Sequence, residues 1–266
     1  MLIGAKRGGS TTLARSLTAT PGVASLFPSR EALKGTYFFD VNFDRGEAWY
    51  RSHFPTETSL GSRLVGDASP YYLSHPHAAE RARALVPDAR IICVLRDPVD
   101  RAFSHYRERV KQGVETLATF EEALAAEPDR LAGELDRMIQ DPNYVSWNHL
   151  NFGYVAQSMY GESVARWVQH WPSEQLLFVR SEDMYANPDR VLQQALVFLG
   201  LQGSNPATQN NSHQNQLPPA DVASETRRRL WNQFHSDVER LAALLDEPTW
   251  WTANTPPSGV TRKSQS

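Results

Sequence analysis

The sequence contains a single cysteine, Cys93, and that residue lies within an apolar run. One cysteine cannot form a disulfide within the chain, so a buried structural thiol is the expected state of Cys93. The formal net charge of −3 excludes a globally basic nucleic-acid-binding protein, although it is compatible with a local cationic cleft. We therefore expect no nucleic-acid partner.

Long hydrophobic runs are missing as well. No stretch approaches the ~20 apolar residues that a membrane-spanning helix needs, so no transmembrane segment is expected. The first predicted strand begins directly after Met1, which predicts that no signal peptide precedes it and that the protein is cytoplasmic. The histidines show no ligand spacing such as H-E-x-x-H, so no metal site is predicted.

The composition is that of a globular protein, with 41% hydrophobic and 21% charged residues among 266. That length fits one large α/β domain or two small ones. Strand-like and helix-like patterns alternate through the middle of the chain, which favours a parallel sheet covered by helices. We predict one domain over residues 1–252, followed by a disordered tail over residues 253–266.

Apolar periodicity, capping residues and helix breakers predict the individual elements. Strands are expected over residues 2–5, 90–95 and 175–180, with a short strand or extended segment over 34–40. Helices are expected over residues 11–19, 46–53, 75–85, 99–111, 120–127, 129–139, 161–171, 188–199 and 222–245. Pro128 is expected to interrupt the helical pattern, and residues 202–220 are expected to form a long loop.

A glycine-rich segment lies between the first predicted strand and the first predicted helix. Gly8 and Gly9 allow the backbone to curl so that successive N–H groups face one point, where the helix adds its positive end. Cations and hydroxyls flank these glycines at Lys6, Arg7, Ser10, Thr11 and Thr12. Such donors predict a site for phosphate or sulfate, and a glycine-rich turn with surface charges is the alternative.

This segment differs from the P-loop of nucleotide triphosphatases, G-x-x-x-x-G-K-[ST]. Gly4 and Gly9 have the P-loop spacing, but Ser10 stands where the P-loop has its lysine, and the cations precede the second glycine. The sequence also marks no clear acidic ligand for Mg²⁺. An ordinary kinase or ATPase is therefore disfavoured.

A second segment supplies another cation at the end of a predicted strand. The apolar run 90–95 ends at Arg96, and Asp97 and Pro98 follow as the cap and first residue of a predicted helix. Open α/β sheets bind ligands at the carboxyl ends of their strands. Ser104 lies two turns into that helix, close enough to share an anion with Arg96, although a strand-end arginine is often only an ion-pair partner.

Together the two segments resemble the sulfotransferases that use 3′-phosphoadenosine 5′-phosphosulfate (PAPS). Residues 7–11 are similar to the family's 5′-phosphosulfate loop [KR]-x-G-T-[ST], and residues 96–106 are similar to its 3′-phosphate motif R-D-P-x-x-R-x-x-S-x-Y. Residues 34–40 resemble the K-E-x-x-F-F-D stretch of heparan sulfate sulfotransferases. Residues 67–72 resemble their E-K-[ST]-P-x-Y segment, and residues 187–201 resemble the family's N-P-x…F-L-G-L helix.

The resemblance implies a P-loop-like α/β fold of three layers, α/β/α, around a central parallel sheet. It implies PAPS as the sulfuryl donor, no metal, and a small-molecule, glycolipid or glycan acceptor. Arg7 corresponds to the family's catalytic cation, usually a lysine, and Lys6 could share its role. The residues matched to the nucleotide site are Lys6, Arg7, Gly8, Gly9, Ser10, Thr11 and Thr12 on the 5′ side and Arg96 and Ser104 on the 3′ side. Without the membrane anchor of eukaryotic Golgi relatives, a cytoplasmic bacterial enzyme is expected.

Two positions depart from the heparan sulfate sulfotransferase pattern. Gly35 stands where those enzymes have a glutamate base, and Ala68 stands where they have a lysine. Residues that could accept the proton instead are Asp40, His53, Asp67 and His105. His105 is attractive because it follows Ser104 and has a side chain that titrates near neutral pH. For each of the four, a structural role is the alternative.

Two further assignments concern single side chains. Tyr160 is one of several aromatic residues that could stack on adenine or line the acceptor pocket, with packing in the core as the alternative. The run Arg227, Arg228 and Arg229 is interpreted as a solvated helix face.

Two other functions remain open from the sequence. One is a small-molecule kinase that uses the glycine-rich loop, which the missing P-loop lysine counts against. The other is a sulfotransferase-like module that binds nucleotide without turnover, which Gly35 and Ala68 suggest.

Overall fold

The computed structural model of the chain describes residues 1–26, 35–201 and 222–253. The loop predicted over residues 202–220 lies outside the described residues, and so does the tail predicted from 253 onward, apart from its first residue. Lys34 of the K-E-x-x-F-F-D-like stretch also lies outside them.

The strands of the described residues form two small parallel sheets that adjoin each other. The strands are β1 (Leu2–Gly4), β2 (Val23–Ala24), β3 (Leu64–Val65), β4 (Ile91–Leu95) and β5 (Leu176–Arg180). The central sheet has the order β1-β4-β5, and β2 pairs with β3. The backbone N–H of Leu2 donates to the Asp67 carbonyl at 2.8 Å, which connects the segment after β3 to β1. The predicted parallel sheet is confirmed.

Helices surround this sheet and account for most of the described chain. They are α1 (Ser10–Thr18), α2 (Gly46–Arg51), α3 (Glu57–Leu60), α4 (Ala78–Leu85), α5 (Pro98–Lys111), α6 (Phe120–Leu131), α7 (Glu134–Gln140), α8 (Trp147–Phe152), α9 (Tyr160–His170), α10 (Ser181–Ala186), α11 (Pro188–Leu199) and α12 (Ser224–Leu245). Three short 3₁₀ turns lie between them, at Phe43–Arg45, Ala156–Ser158 and Ser173–Gln175.

Strand β4 divides the core into two layers because its side chains alternate between the two faces of the sheet. Ile91, Cys93 and Leu95 pack with α4, α5, α9 and α12 on one face. Ile92 and Val94 pack with α1, α10 and α11 on the other face. All five residues of the strand are buried, as expected for a parallel strand covered on both sides. The result is the three-layer α/β/α arrangement.

The prediction that Pro128 interrupts the helix is wrong. Helix α6 continues through Pro128, and the break comes at Gly133, which has a φ of 73°. A proline removes one backbone hydrogen bond but does not end a helix that is held elsewhere. Here the capping box of Thr119 and Glu122 fixes the beginning of α6, and the buried Phe120 anchors it to the core.

The strand alternative for residues 34–40 is also wrong for the described part of that segment. Residues 38–41 form a turn, and the preceding backbone pairs with side chains rather than with a strand. The N–H of Tyr37 donates to the hydroxyl of Ser69 at 2.9 Å, and that of Phe38 donates to the hydroxyl of Tyr72 at 2.7 Å. Polar side chains after β3 therefore replace the ladder that a strand would need.

Within the three described ranges, none of the helices combines the length and the apolar character that crossing a membrane requires.

Candidate active site

The glycine-rich loop leaves β1 and leads directly into α1. Gly9 occupies the N-cap with a φ of 97°, a left-handed conformation that favours glycine, and a Cβ there would lie 2.6 Å from the Met184 Cε. Gly9 has no side chain to cap α1, and the first turn of α1 has no acidic residue. The positive end of α1 therefore has no counter-charge from its own cap or first turn, as a helix that binds an anion requires.

Two residues of helix α10 contact the glycine-rich loop and the beginning of α1. The hydroxyl of Ser181 donates to the Gly8 carbonyl at 2.6 Å, and the hydroxyls of Thr12 and Tyr185 lie 3.2 Å apart. A Cβ at Gly8 would approach the Val94 carbonyl to 2.7 Å, so the loop can lie this close to β4 only with glycine. Ser181 and Tyr185 were not among the site residues predicted from the sequence. The available signal was the position of Ser181 directly after a strand, at the ligand-binding edge of the sheet.

Arg7 connects the two predicted anion-binding segments. Its backbone has a φ of 70°, and its Nε donates to the Ser104 hydroxyl at 3.2 Å. Its Nη1 lies 3.4 Å from the Glu108 Oε2, and the Arg7 side chain is 36% exposed. Ser104 was predicted to act beside Arg96, and the structure places its hydroxyl directly on Arg7. The glycine-rich loop and helix α5 are therefore in direct contact through Arg7.

Arg96 lies at the carboxyl end of β4 and is only 2% exposed. Burial lowers the pKa of Arg96, and the negative charges of Asp100 and Glu182 oppose that shift. Asp97 caps α5 as predicted, because its Oδ1 accepts from the Asp100 N–H at 2.9 Å and Pro98 follows in the first turn. The Asp97 N–H donates to the Glu182 Oε1 at 2.9 Å.

Arg227 extends this network from α12, and its interpretation as part of a solvated helix face is wrong. Its guanidinium bonds the carboxylates of Asp97 and Asp100 and is only 14% exposed. Burial raises the pKa of Asp97 to about 7, and repulsion from Asp100 adds to that shift. Two neighbouring buried carboxylates need a cation to balance their negative charge, and Arg227 supplies that cation.

Lys6 points into the protein rather than alongside Arg7. Its Nζ donates to the Leu150 carbonyl at 2.7 Å and lies 5.9 Å from the centre of the Tyr71 ring. Burial lowers the pKa of Lys6 to about 7, and the charges of Arg109 and Arg101 lower it further. Lys6 is therefore a weaker cation near neutral pH than its position in the sequence suggests.

The two aspartates proposed as bases differ in their surroundings. Both oxygens of Asp67 are occupied, by the N–H and hydroxyl of Thr36 and by the hydroxyls of Ser69 and Tyr72, at 2.6 to 3.0 Å. This carboxylate holds the segment after Gly35 in place. Asp40 is 2% exposed, and burial raises its pKa to about 8, against the effect of a hydrogen bond from the Val41 N–H.

The two histidines proposed as bases lie in contrasting places. His105 is 0% exposed and packs edge-on against Tyr154. Burial, together with the charge of Lys6, holds the pKa of His105 well below its ordinary value, so the ring is neutral. His53 follows α2, where its Nδ1 lies 2.8 Å from the Trp49 carbonyl and its ring packs on the indole of Trp49.

Tyr160 is fully buried, with its ring next to that of Trp251 at a centroid distance of 6.0 Å. Burial raises its pKa, and the charge of Arg101 opposes that shift. Stacking on adenine therefore stays a prediction, one that needs Tyr160 to become accessible.

Position 35 has no room for a side chain. A Cβ on Gly35 would lie 2.4 Å from both the Ala68 carbonyl oxygen and the Ser69 hydroxyl. The departure from glutamate is therefore built into the local packing, with the segment after Gly35 lying against the turn at Ala68.

Introducing the missing carboxylate by Gly35→Glu is therefore expected to destabilise the protein, by about 2–4 kcal/mol, because backbone atoms must move to admit the Cβ. Urea unfolding measures the loss. Glu47→Gln on exposed helix α2 is the control, with little expected change. A Gly35→Glu protein as stable as the unmodified one would contradict the packing at Ala68.

The family described as "Sulfotransferase domain" matches residues 1–218. Human heparan sulfate glucosamine 3-O-sulfotransferase 3B1 is 30% identical over 201 residues, covering 76% of this chain and 45% of that protein. Human bifunctional heparan sulfate N-deacetylase/N-sulfotransferase 3 is 29% identical over 204 residues, covering 76% of this chain and 22% of that protein. The chain thus spans less than half the length of either relative.

A similar solved structure is that of a sulfotransferase from Alicyclobacillus acidocaldarius. It aligns with a TM-score of 0.68 and 29% identity, covering 93% of this chain and 95% of that one. The two chains therefore share their fold over nearly their whole length.

Proposed function

Because this chain belongs to the sulfotransferase family, we propose that it uses PAPS as donor and transfers the sulfuryl group to a hydroxyl, or less readily an amine. The products of this reaction are the sulfated acceptor and adenosine 3′,5′-bisphosphate. The proposed acceptor is a small molecule, a lipid or a glycan. A cytoplasmic location stays a prediction.

The contact between Arg7 and Ser104 carries this proposal. It joins the glycine-rich loop to the helix that follows Arg96, at a distance of 3.2 Å. A nucleotide with phosphate on both its 5′ and 3′ sides needs two groups of donors at one edge of the sheet. We assign the 5′ group to the beginning of α1 with Arg7, and the 3′ phosphate to Arg96 and Ser104 as the sequence motif implies.

Arg7 is the side chain best placed to assist the transfer. The acceptor oxygen bonds to sulfur while the bond from sulfur to the 5′-phosphate oxygen breaks, so negative charge collects on that phosphate. The guanidinium of Arg7 stabilises this charge, and the N–H groups at the beginning of α1 add to the stabilisation. Arginine supplies two parallel donors but cannot give up a proton as lysine can.

The relatives and Gly35 favour different classes of acceptor. Two relatives carry heparan sulfate in their names, which favours a glycan hydroxyl. The missing carboxylate at Gly35 favours, in contrast, an acceptor whose hydroxyl is more acidic, because such a hydroxyl needs less help to lose its proton.

Gly35 also favours a second candidate function, a module that binds the bisphosphate without turnover. A kinase is the third possibility, and Ser10 in place of the P-loop lysine disfavours it. Ligand selectivity and turnover distinguish the three.

Thermal unfolding with different nucleotides tests the binding site. Adenosine 3′,5′-bisphosphate at about 100 times its Kd is expected to raise the Tm by about 5–10 °C, because a ligand that binds only the folded protein stabilises it by mass action. ADP and Mg-ATP at equal concentration are expected to give much smaller shifts. Equal shifts with ADP and the bisphosphate would contradict the 3′-phosphate site.

Sulfate transfer from PAPS to a panel of phenols, sugars, alcohols and lipids then tests turnover. Transfer to any of them supports the enzyme. A selective shift with the bisphosphate but no transfer across the panel would support the binding module instead.

A further inference from the structure

The transfer to an alcohol needs a proton acceptor, and three of the four candidates from the sequence are poorly placed to act as one. Asp67 uses both oxygens in hydrogen bonds to Thr36, Ser69 and Tyr72. Asp40 and His105 are almost or completely buried. A base in this reaction must reach the acceptor and afterwards release the proton to water.

Glu108 differs from these candidates in that it contacts Arg7 and is open to solvent. It lies on α5 one turn after Ser104, and its Oε2 is 3.4 Å from the Arg7 Nη1. Among the ion pairs of the described residues, it is the carboxylate that pairs with Arg7. Its side chain is 23% exposed, so protons can exchange with solvent. Its other oxygen accepts from the Gln112 Nε2 at 2.8 Å, which orients the carboxylate.

We propose that Glu108 is the general base for the acceptor hydroxyl, and this inference rests on the proposed function. Arg7 must contact oxygens around the attacked sulfur in order to stabilise the transferring group. A carboxylate on the same guanidinium therefore lies beside the incoming acceptor oxygen. When a bound anion takes over the Nη1 of Arg7, the Glu108 Oε2 loses that partner. It can then accept a hydrogen bond from the hydroxyl that is to be sulfated.

The proton and the bonds balance in this step. The acceptor oxygen forms its bond to sulfur, the bond from sulfur to the 5′-phosphate oxygen breaks, and the leaving phosphate keeps the electron pair. The acceptor proton passes to the Glu108 Oε2 and from there to solvent. Glu108 replaces the carboxylate that Gly35 lacks, but it approaches from helix α5 instead of from the segment around residue 35.

Replacement of Glu108 by glutamine tests this role, because glutamine keeps the size and the contact to Gln112 but cannot take the proton. For an aliphatic alcohol acceptor, kcat is expected to fall about 10²-fold. For an acidic phenol such as 4-nitrophenol, which ionises without help, kcat is expected to fall less than about threefold. The thermal shift with adenosine 3′,5′-bisphosphate is expected to be at least as large as in the unmodified protein, because the nucleotide no longer has to displace a carboxylate from Arg7.

The contrast between the two acceptors separates a base from a residue that only orients Arg7. If Glu108 only oriented Arg7, both acceptors would lose the same factor, and this result would overturn the proposal. No loss with either acceptor would overturn it as well. Glu108→Asp is expected to recover part of the alcohol activity. Glu47→Gln makes the same substitution in the exposed Glu47–Arg51 ion pair of α2 and is expected to change neither rate.

Failure of the proposed function shows in a different measurement. It appears as an absence of transfer by the unmodified protein, whereas failure of the Glu108 assignment appears only as the ratio between acceptors in the variant.

Discussion

Replacement of Arg7 by alanine is expected to lower kcat by at least about 10³-fold, while the Kd for adenosine 3′,5′-bisphosphate rises by less than about tenfold. The reason is that the charge on the leaving phosphate and the sulfuryl oxygens is largest in the transition state, where a positioned arginine acts most strongly. In the ground state, the N–H groups of α1 and the 3′ group of donors still hold the nucleotide.

Kinetics with saturating PAPS and calorimetric titration with the bisphosphate measure the two quantities. Arg15→Ala is the matched control, because Arg15 lies exposed on the last turn of α1. Arg7→Lys is expected to retain most of the turnover, since the family usually has lysine there. If Arg7→Ala kept kcat within about tenfold of the unmodified protein, Arg7 would not be the catalytic cation.

The parts of the fold that the sequence predicts well are those whose local signals agree with the final packing. Strand β4 is a short unbroken apolar run, as a strand that is buried on both faces needs. Helix α11 begins at Pro188 and ends before Gly200, which has a φ of 78°, and both residues are typical of those two positions. Local chemistry and tertiary contacts act in the same direction at both places.

Prediction from the sequence fails where contacts between distant residues decide the conformation. The backbone before residue 40 donates hydrogen bonds to the side chains of Ser69 and Tyr72, about 30 residues away along the chain. The residues around position 40 carry no local pattern that predicts these bonds. Arg227 looks like a surface residue within its own run of three arginines. Its ion-pair partners are Asp97 and Asp100, which lie at the beginning of α5 and are far away in sequence.

The candidate site shows the same division. The glycine-rich loop and Arg96 are local motifs, so sequence alone is enough to propose both as candidates. The pairing of Arg7 with Ser104 and Glu108 depends on how α5 lies against the loop, and this is a property of the fold. Glu108 was missed for that reason, since a charged residue on a long exposed-looking helix gives no signal of its own.

Replacement of Arg96 is expected to have the largest effect on nucleotide binding. For Arg96→Ala, the Kd for adenosine 3′,5′-bisphosphate is expected to rise about 10²- to 10³-fold, because the loss of a buried charge partner costs about 2–5 kcal/mol. Binding of adenosine 5′-monophosphate, which lacks the 3′ phosphate, is expected to change less than about threefold. Titration calorimetry with both nucleotides measures the difference.

The difference between the two nucleotides protects this test from a general loss of structure. Removing Arg96 leaves the carboxylates of Asp100 and Glu182 with less compensating charge, so a lower Tm is expected in the alanine variant. A misfolded protein would lose affinity for both nucleotides, whereas loss of the 3′ contact affects the bisphosphate alone. Arg96→Lys keeps the charge and compensates Asp100, and its bisphosphate affinity is expected to lie between those of the alanine variant and the unmodified protein. If both variants bound the bisphosphate as tightly as the unmodified protein, Arg96 would serve only the carboxylates around it, and the 3′ phosphate would have to lie elsewhere.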